Sequence, residues 1–451
     1  NSYSHNYGVE SYLARINYGF KSRYYIDASW RTDGSSRFHP SDRWGHFWSV
    51  GASWRISEEQ FMENTRQWLD NLTLKVSYGV QGNDNLGTYY AWQGLYDYTW
   101  PNATDAGAFV DKLENRKVTW EKNGNLNAGI EATMFGGRLG VSVEYYNRKT
   151  RDMLLNSPLP ISTGFTGFND NVGSLRNQGL EVSLRGTILD KRDFRWDATL
   201  MGSFNRNKVL SLTGGQDVIT SGIRVIEVGR PIYTFYLPKT AGVDPATGKQ
   251  LYYAYWTQTV NDEGTLVNTR CDEYITDNVA MATLSKYYHE SREPKLFGSI
   301  GSTFTILKNI DVSFLTTYSI GGWVYDGLYN GSMYVQYAGN NWHKNAKRRW
   351  QKPGDKTDVP MLEVGGSYAT TSNSLIDASY FAIKNITVGY TLPKRWLKKI
   401  DIESLRIYAT LDNIAMFNHM DGMDPQYNFT GSVAYSYTPS RVIAFGIDLN
   451  F

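Results

Sequence analysis

The sequence predicts an all-β chain whose strands build a transmembrane, antiparallel, up-and-down β-barrel. Three observations predict it. Apolar residues recur at every second position through segments of about ten residues. The connections between those segments are alternately minimal and very long. No stretch approaches the ~18 consecutive apolar residues of a transmembrane helix. Period two gives each segment one apolar face and one polar face, and about ten residues is the length at which a tilted strand crosses a bilayer.

Roughly 13 segments carry the pattern. They begin near Ser11, Arg23, His46, Leu72, Asn125, Arg138, Gly179, Phe194, Lys295, Ile310, Tyr380, Leu405 and Arg441. In the second, Tyr24, Ile26, Ala28 and Trp30 alternate with Tyr25, Asp27, Ser29 and Arg31. Further on, Leu126, Ala128, Ile130 and Ala132 oppose Asn127, Gly129, Glu131 and Thr133. Leu139, Val141, Val143 and Tyr145 oppose Gly140, Ser142, Glu144 and Tyr146. Val182, Leu184, Gly186 and Ile188 oppose Glu181, Ser183, Arg185 and Thr187. Leu405, Ile407, Ala409 and Leu411 oppose Arg406, Tyr408, Thr410 and Asp412. In the last segment Ile443, Phe445, Ile447, Leu449 and Phe451 oppose Ala444, Gly446, Asp448 and Asn450.

Tight turns are expected at Lys21–Ser22, Phe135–Arg138, Leu189–Asp193 and Leu307–Ile310. Long excursions are expected at Asp33–Gly45, Gln81–Gly124, Lys149–Gln178, Asn205–Pro294 and Gly321–Ala378. Membrane barrels have this asymmetry, with short periplasmic turns and long extracellular loops. By the same alternation the partly helical connections Ser57–Asn71 and Thr391–Asp401 fall on the periplasmic side.

A soluble β-sandwich also alternates, and the two faces weigh against it. The polar faces carry charge at mid-strand (Arg15, Asp27, Glu131, Glu144, Glu181, Arg185, Arg406), which suits a wide, wet lumen. The apolar faces carry aromatics near their ends (Tyr12, Phe20, Trp48, Trp54, Phe445, Phe451), as interfacial girdles require. A propeller would show a repeat of about 40 residues, and none is present.

The 451 residues carry a formal charge of +2, so charge gives no argument for nucleic acid. Aromatics reach 15%, and mean hydropathy is −0.45, as alternating strands produce. The single cysteine, Cys271, sits in a polar stretch and reads as incidental. "NSYSHNYGVES" has no basic or apolar leader, so the chain is expected to start inside a longer one. The six histidines are scattered, with no HExxH or GxSxG, and "GGWVYDG" lacks the Lys-Ser/Thr of a phosphate loop. The expectation is no enzyme, no catalytic residue, no cofactor and no metal. Asn83–Asn85 and Asn261–Glu263 read as turn chemistry rather than cation loops. The basic run His343–Trp350 reads as a solvated or lipopolysaccharide-facing patch.

Several stretches resemble the SusC/RagA family of TonB-linked outer-membrane proteins. They are "SWRTDGSSRF", "WSVGASWRISEEQFM", "LKVSYGVQGN", "VTWEKNGNLNAGIEATMFGGRLGVSVEYYNRKTRDMLL", "NQGLEVSL", "AGVDPATGKQLYY", "FAIKNITVGYTLP" and "LRIYATLDNI", in order over nearly the whole chain. The resemblance implies a bacterial outer-membrane barrel of about 22 strands around a plug. Residues 1–451 would then be the C-terminal part of the barrel, with the plug, the TonB-contacting segment and an N-terminal extension domain outside this chain.

It also implies TonB-dependent import of an oligomeric nutrient, a glycan or an oligopeptide. The implied partners are a SusD-like lipoprotein lid, the TonB complex, outer-membrane lipid and lipopolysaccharide. A dimer of transporter–lipoprotein pairs is the candidate assembly. A passive porin and a soluble adhesin or lectin stand as alternatives. TonB-independent uptake would mark the first, and release without detergent the second.

Ligand contact is expected from loop aromatics, whose flat faces suit sugar rings or peptide side chains. The candidates are Trp100, Trp256, Tyr334, Tyr337 and Trp342. Each would equally pack its own loop or meet the lid. Ile443, Phe445, Ile447, Leu449 and Phe451 resemble the assembly signal that outer-membrane barrels present to their insertion machinery.

Overall fold

The computed structural model describes residues 4–451 except 102, 106, 166, 213–216, 334–340, 364–365, 367, 399–401, 421, 427–428 and 434–436. Thirteen long strands are present among the described residues. They are β1 (Val9–Phe20), β2 (Tyr24–Ser35), β3 (Trp44–Arg55), β4 (Leu69–Asn83), β5 (Glu121–Met134), β6 (Leu139–Arg151) and β7 (Ser174–Lys191). Then follow β8 (Phe194–Ser211), β9 (Leu296–Ile306), β10 (Ile310–Ile320), β11 (Tyr380–Thr391), β12 (Ser404–Asn418) and β13 (Val442–Asn450). The chain divides into two compact units. The first (1–219, 227–232 and 298–311) holds β1–β8 and most of β9; the second (220–226, 233–297 and 312–451) holds most of β10 and β11–β13.

In the first unit every strand pairs with its sequence neighbour, and the register carries one polarity across the sheet. Tyr18, Ile26, Ala52, Val76, Ala128, Tyr145, Leu180 and Phe204 form one unbroken apolar row from β1 to β8. The neighbouring row on the opposite face is Asn17, Asp27, Gly51, Ser77, Asn127, Tyr146, Gly179 and Asn205. A one-residue slip anywhere would swap the faces, so this agreement specifies the register. In the second unit β10, β11, β12 and β13 are likewise consecutive. There Tyr390, Ile407 and Ile447 form one apolar row and Val388, Ala409 and Phe445 the next.

The turns have the chemistry that two-residue hairpins demand. Lys21 and Ser22 have φ of 53° and 55°, and Leu307 and Lys308 have 51° and 64°. Consecutive positive φ values give the primed turns whose twist matches a right-twisted ladder. The expected turn at Leu189–Asp193 is shorter than the sequence suggests. An irregularity between Thr187 and Leu189 lets Leu189 pair with Trp196, so β7 continues to Lys191.

Strands also outrun the length of about ten residues that the bilayer sets. β7 and β8 each have 18 residues, and Arg151 still pairs with Ser174, inside the stretch expected to be loop. The connection 419–441 between β12 and β13 is a further long excursion that the sequence reading passed over. Short helices at Val279–Leu284 and Gly327–Met333 were also missed. The expected helical turns are present at Ile56–Glu58, Gln60–Thr65 and Lys394–Leu397.

The buried cores lie in the connections more than in the sheet. In the first unit Phe38, Ala91, Val118 and Trp120 close around Phe47. Trp120 Nε1 donates 2.7 Å to the Arg43 carbonyl. By contrast the apolar face of the sheet is bare: Ile16 is 71% exposed and Ile130 49%. A soluble sandwich would cover that face with a second sheet; hydrocarbon is the solvent that fits it.

Candidate functional site

The polar face of the first unit carries two grooves. A groove of about 670 Å³ is lined by Asp27, Arg31, Ser49, Gln81, Asn125 and Asn127, among others. Beside it a second groove of about 290 Å³ carries Lys75, Glu131 and Glu144. Lys75 Nζ lies 2.6 Å from Glu131. Glu144 and Glu181 stand opposite one another on β6 and β7. Like charges so placed are costly in a dry core and tolerable beside water. The polar side chains of both grooves come from strand residues that alternate with the apolar rows, so one pattern makes both surfaces.

In the second unit the connections fold into small sheets that carry rings. Arg224–Glu227, Thr234–Pro238 and Lys286–Ser291 form one antiparallel set. Thr240–Val243, Gln250–Val260 and Leu266–Thr276 form another. Along Gln250–Val260, Tyr252 and Ala254 are buried, while Tyr253 and Tyr255 meet a cluster of rings and cations. The Tyr255 and Tyr287 rings meet edge-on at 5.3 Å, and Tyr236 and Tyr288 lie 4.9 Å apart. Lys239 Nζ stands 4.3 Å over the Tyr253 ring, and Arg270 5.2 Å from that of Tyr255, within cation–π range. Tyr255 Oη donates 2.6 Å to the Lys286 carbonyl, and burial pushes its pKa up to about 12. Tyr255 therefore presents a neutral, amphipathic surface at any physiological pH.

Of the expected ligand aromatics, Trp256 lies beside this platform, half-buried and opposite Arg270. Its backbone N–H donates 3.1 Å to Ser285 Oγ, and its carbonyl accepts from Tyr274 Oη at 2.9 Å. Trp342 lines an apolar crevice with Met333, Val359 and Tyr368. Trp100 belongs to the first unit, is 67% exposed and meets Phe109 edge-on at 6.2 Å. Tyr334 and Tyr337 lie outside the described residues. Trp256 and Trp342 have separate neighbours, so the five candidates do not form one described cluster. The sequence reading missed the platform tyrosines; the alternation in "LYYAYW" was the signal that could have found them.

The Asp/Asn stretches serve the fold. Asp84 accepts from Tyr7 at 2.8 Å and Ser35 at 2.6 Å, and pairs with Arg37 at 3.3 Å. Asn261 Oδ1 takes the backbone N–H groups of Glu263 and Thr265, closing its hairpin. Among the described residues no group of acidic, histidine or cysteine side chains could hold a metal. In the basic run, His343 caps the short helix Lys344–Arg348, and Arg348 pairs with Asp358 at 3.1 Å. Ile443, Phe445, Ile447 and Leu449 stand exposed on one face of β13, and Phe451 follows it, also exposed.

Comparison with known proteins gives consistent matches. The family described as "TonB dependent receptor-like, beta-barrel" matches residues 1–414. The TonB-dependent receptor SusC of Bacteroides thetaiotaomicron is 28% identical, over 98% of this chain and 43% of that protein. A TonB-dependent receptor of Formosa agariphila is 29% identical, over 98% of this chain and 46% of that protein. Among solved structures, one described as the RagAB peptide transporter superposes with a TM-score of 0.84 at 29% identity. The match covers 99% of this chain and 48% of that one. The chain thus spans about half the length of the curated relatives it matches.

Proposed function

Because this chain belongs to the TonB-dependent receptor-like β-barrel family in its SusC/RagA form, and to the bacterial outer membrane, we propose that it builds part of the wall and outer loops of a TonB-dependent importer. The remaining strands, the plug and the segment that TonB pulls would come from the rest of the protein. The observation that carries this reading is the two-faced sheet: an unbroken apolar row on one side and a polar, grooved surface on the other.

The cargo is an oligomeric nutrient, glycan or oligopeptide; the peptide class is supported by the description of the RagAB transporter. A SusD-like lipoprotein closes the mouth and hands the ligand to the loop layer. TonB, energised from the inner membrane, opens the plug. The ring platform around Tyr255, with Trp256 at its side, is the first ligand surface we assign; Trp100 and Trp342 are secondary. The exposed face of β13 is what the assembly machinery reads. The chain's own residues perform no covalent chemistry in this scheme: they bind, orient and conduct.

Uptake by cells expressing the whole transporter, with and without functional TonB, tests the proposal. Uptake that stops without TonB supports it. Equal uptake in both strains overturns it in favour of a passive porin.

A further inference from the structure

The second unit holds two guanidinium groups that have no anionic partner among the described residues. Arg224 opens the strand Arg224–Glu227, and Arg292 follows the strand Lys286–Ser291. Arg292 Nη2 donates 2.8 Å to the Pro425 carbonyl. Arg224 Nη2 donates 3.3 Å to Thr430 Oγ1. Both side chains therefore reach the same stretch of the connection between β12 and β13. Gly431 permits the approach. Its φ is +85°, and a Cβ there would meet the Arg292 side chain at 2.8 Å.

What each arginine lacks is informative. Both Nε atoms are buried and have no hydrogen-bond partner among the described residues. No carboxylate acts on either charge among the described residues; burial instead pulls both guanidiniums below their ordinary range. The surroundings are aromatic. Arg224 lies 5.9 Å from the ring centres of both Tyr233 and Phe235. The Tyr233 ring meets Phe429 edge-on at 5.6 Å, and Phe429 is 79% exposed.

A cation drawn out of water without a counter-ion is expensive, and two like charges at one segment repel. Elsewhere in this chain the sequence supplies the counter-ion: Arg37 has Asp84, Arg230 has Glu227 and Arg348 has Asp358. Uncompensated charge beside an exposed ring is the arrangement of a site whose anion arrives from outside. A planar carboxylate matches the guanidinium fork, and both arginines are only partly covered.

We propose that Arg224 and Arg292 receive a carboxylate of the imported oligomer, with Tyr233 and Phe429 as the apolar wall beside it. The assignment rests on the import reading and narrows the cargo to ligands that carry an acid group. Either an acidic oligopeptide or a uronic-acid oligosaccharide supplies that group, and the test separates them.

The full-length transporter with its lid lipoprotein is treated with phenylglyoxal, and modification of Arg224 and Arg292 is read by mass spectrometry. Four probes compete: tetraglutamate, trigalacturonate, and the neutral N-acetyl-tetraglutamine amide and maltotriose. The expected result is protection of both arginines by one acidic probe and by neither neutral one; the protecting acid identifies the source. In Arg224→Gln, protection of Arg292 should need about tenfold more probe or above, and Arg224→Lys should recover part of it. Absence of protection by both acids, or equal protection by the neutral probes, overturns the site. Transport is scored separately. TonB-dependent uptake without protection refutes the site alone, and protection with TonB-independent uptake refutes the import reading alone.

Discussion

Ile407 on β12 lies directly across the ladder from Ile447 on β13, and the two side chains are 47% and 67% exposed. A facing pair of isoleucines is ordinary in a core, where both would be covered. Here the same face continues through Val388, Ala409 and Phe445 without acquiring a cover. Exposed apolar rows of this extent are an aggregation hazard in water and the correct surface in lipid.

Leu184 sits on the corresponding face of the first unit, between Val141 and Leu200. Leu184→Arg should destabilise the assembled barrel by about 2–4 kcal/mol if it lies near the bilayer midplane. Ser183→Arg, one residue away on the wet face, should cost far less. Unfolding of the full-length protein in lipid vesicles by urea checks the pair of variants.

Asp84 ties Tyr7, Ser35 and Arg37 together above the first unit's loop core. The Arg37 guanidinium also stacks 4.6 Å from the Tyr7 ring and 5.2 Å from that of Tyr89. Asp84→Asn removes the charge and leaves those donors weakly answered, at a local cost of about 1–3 kcal/mol. Limited proteolysis should cut the connection 84–120 faster in the variant, with the strands still protected.

The alternation that made β1–β13 legible is a local property, since each apolar residue declares its face two positions from the next. Phe194, Ile310 and Tyr380 begin their strands where the pattern begins. Glu121 and Ser174 begin several residues earlier than expected, because pairing there runs beyond the span where lipid dictates the outer residues. The loop sites were not legible for a different reason. Arg292 meets Pro425 across 133 positions, and Tyr255 meets Tyr287 only once two small sheets have formed. No periodicity records such encounters. Trp256 was singled out as a candidate ligand aromatic, whereas Tyr255 beside it in the strand Gln250–Val260 was passed over, because only the meeting with Tyr287 marks it as part of a ring cluster.

His289 gives the loop layer a pH dependence. Burial holds its pKa below the ordinary value, and its Nε2 lies 3.2 Å from the Leu237 carbonyl. A folded pKa below the unfolded one means that the unfolded state binds the proton more readily. The contribution is therefore intact above about pH 6.5 and is lost as pH falls through the depressed folded value. Amide protection factors of Thr234–Leu237, corrected for the intrinsic exchange rate at each pH, should fall on acidification below that point, and His289→Gln should remove the fall.

Gly431 is the backbone permission for the two-arginine arrangement. Gly431→Ala places a Cβ against Arg292 and forces a residue into the left-handed region, at about 1–2 kcal/mol for the backbone alone. The 419–441 connection should loosen, read as faster amide exchange there, with exchange in β1–β6 unchanged.

Spin labels placed one at a time at Leu184 and Ile407, and at their neighbours Ser183 and Arg406, test the central claim most directly in the full-length protein in bilayers. The account predicts that labels at Leu184 and Ile407 relax with dissolved oxygen and are shielded from a water-soluble nickel chelate, with the opposite preference at Ser183 and Arg406. Chelate access, or immobilisation by protein packing, at Leu184 and Ile407 would contradict it.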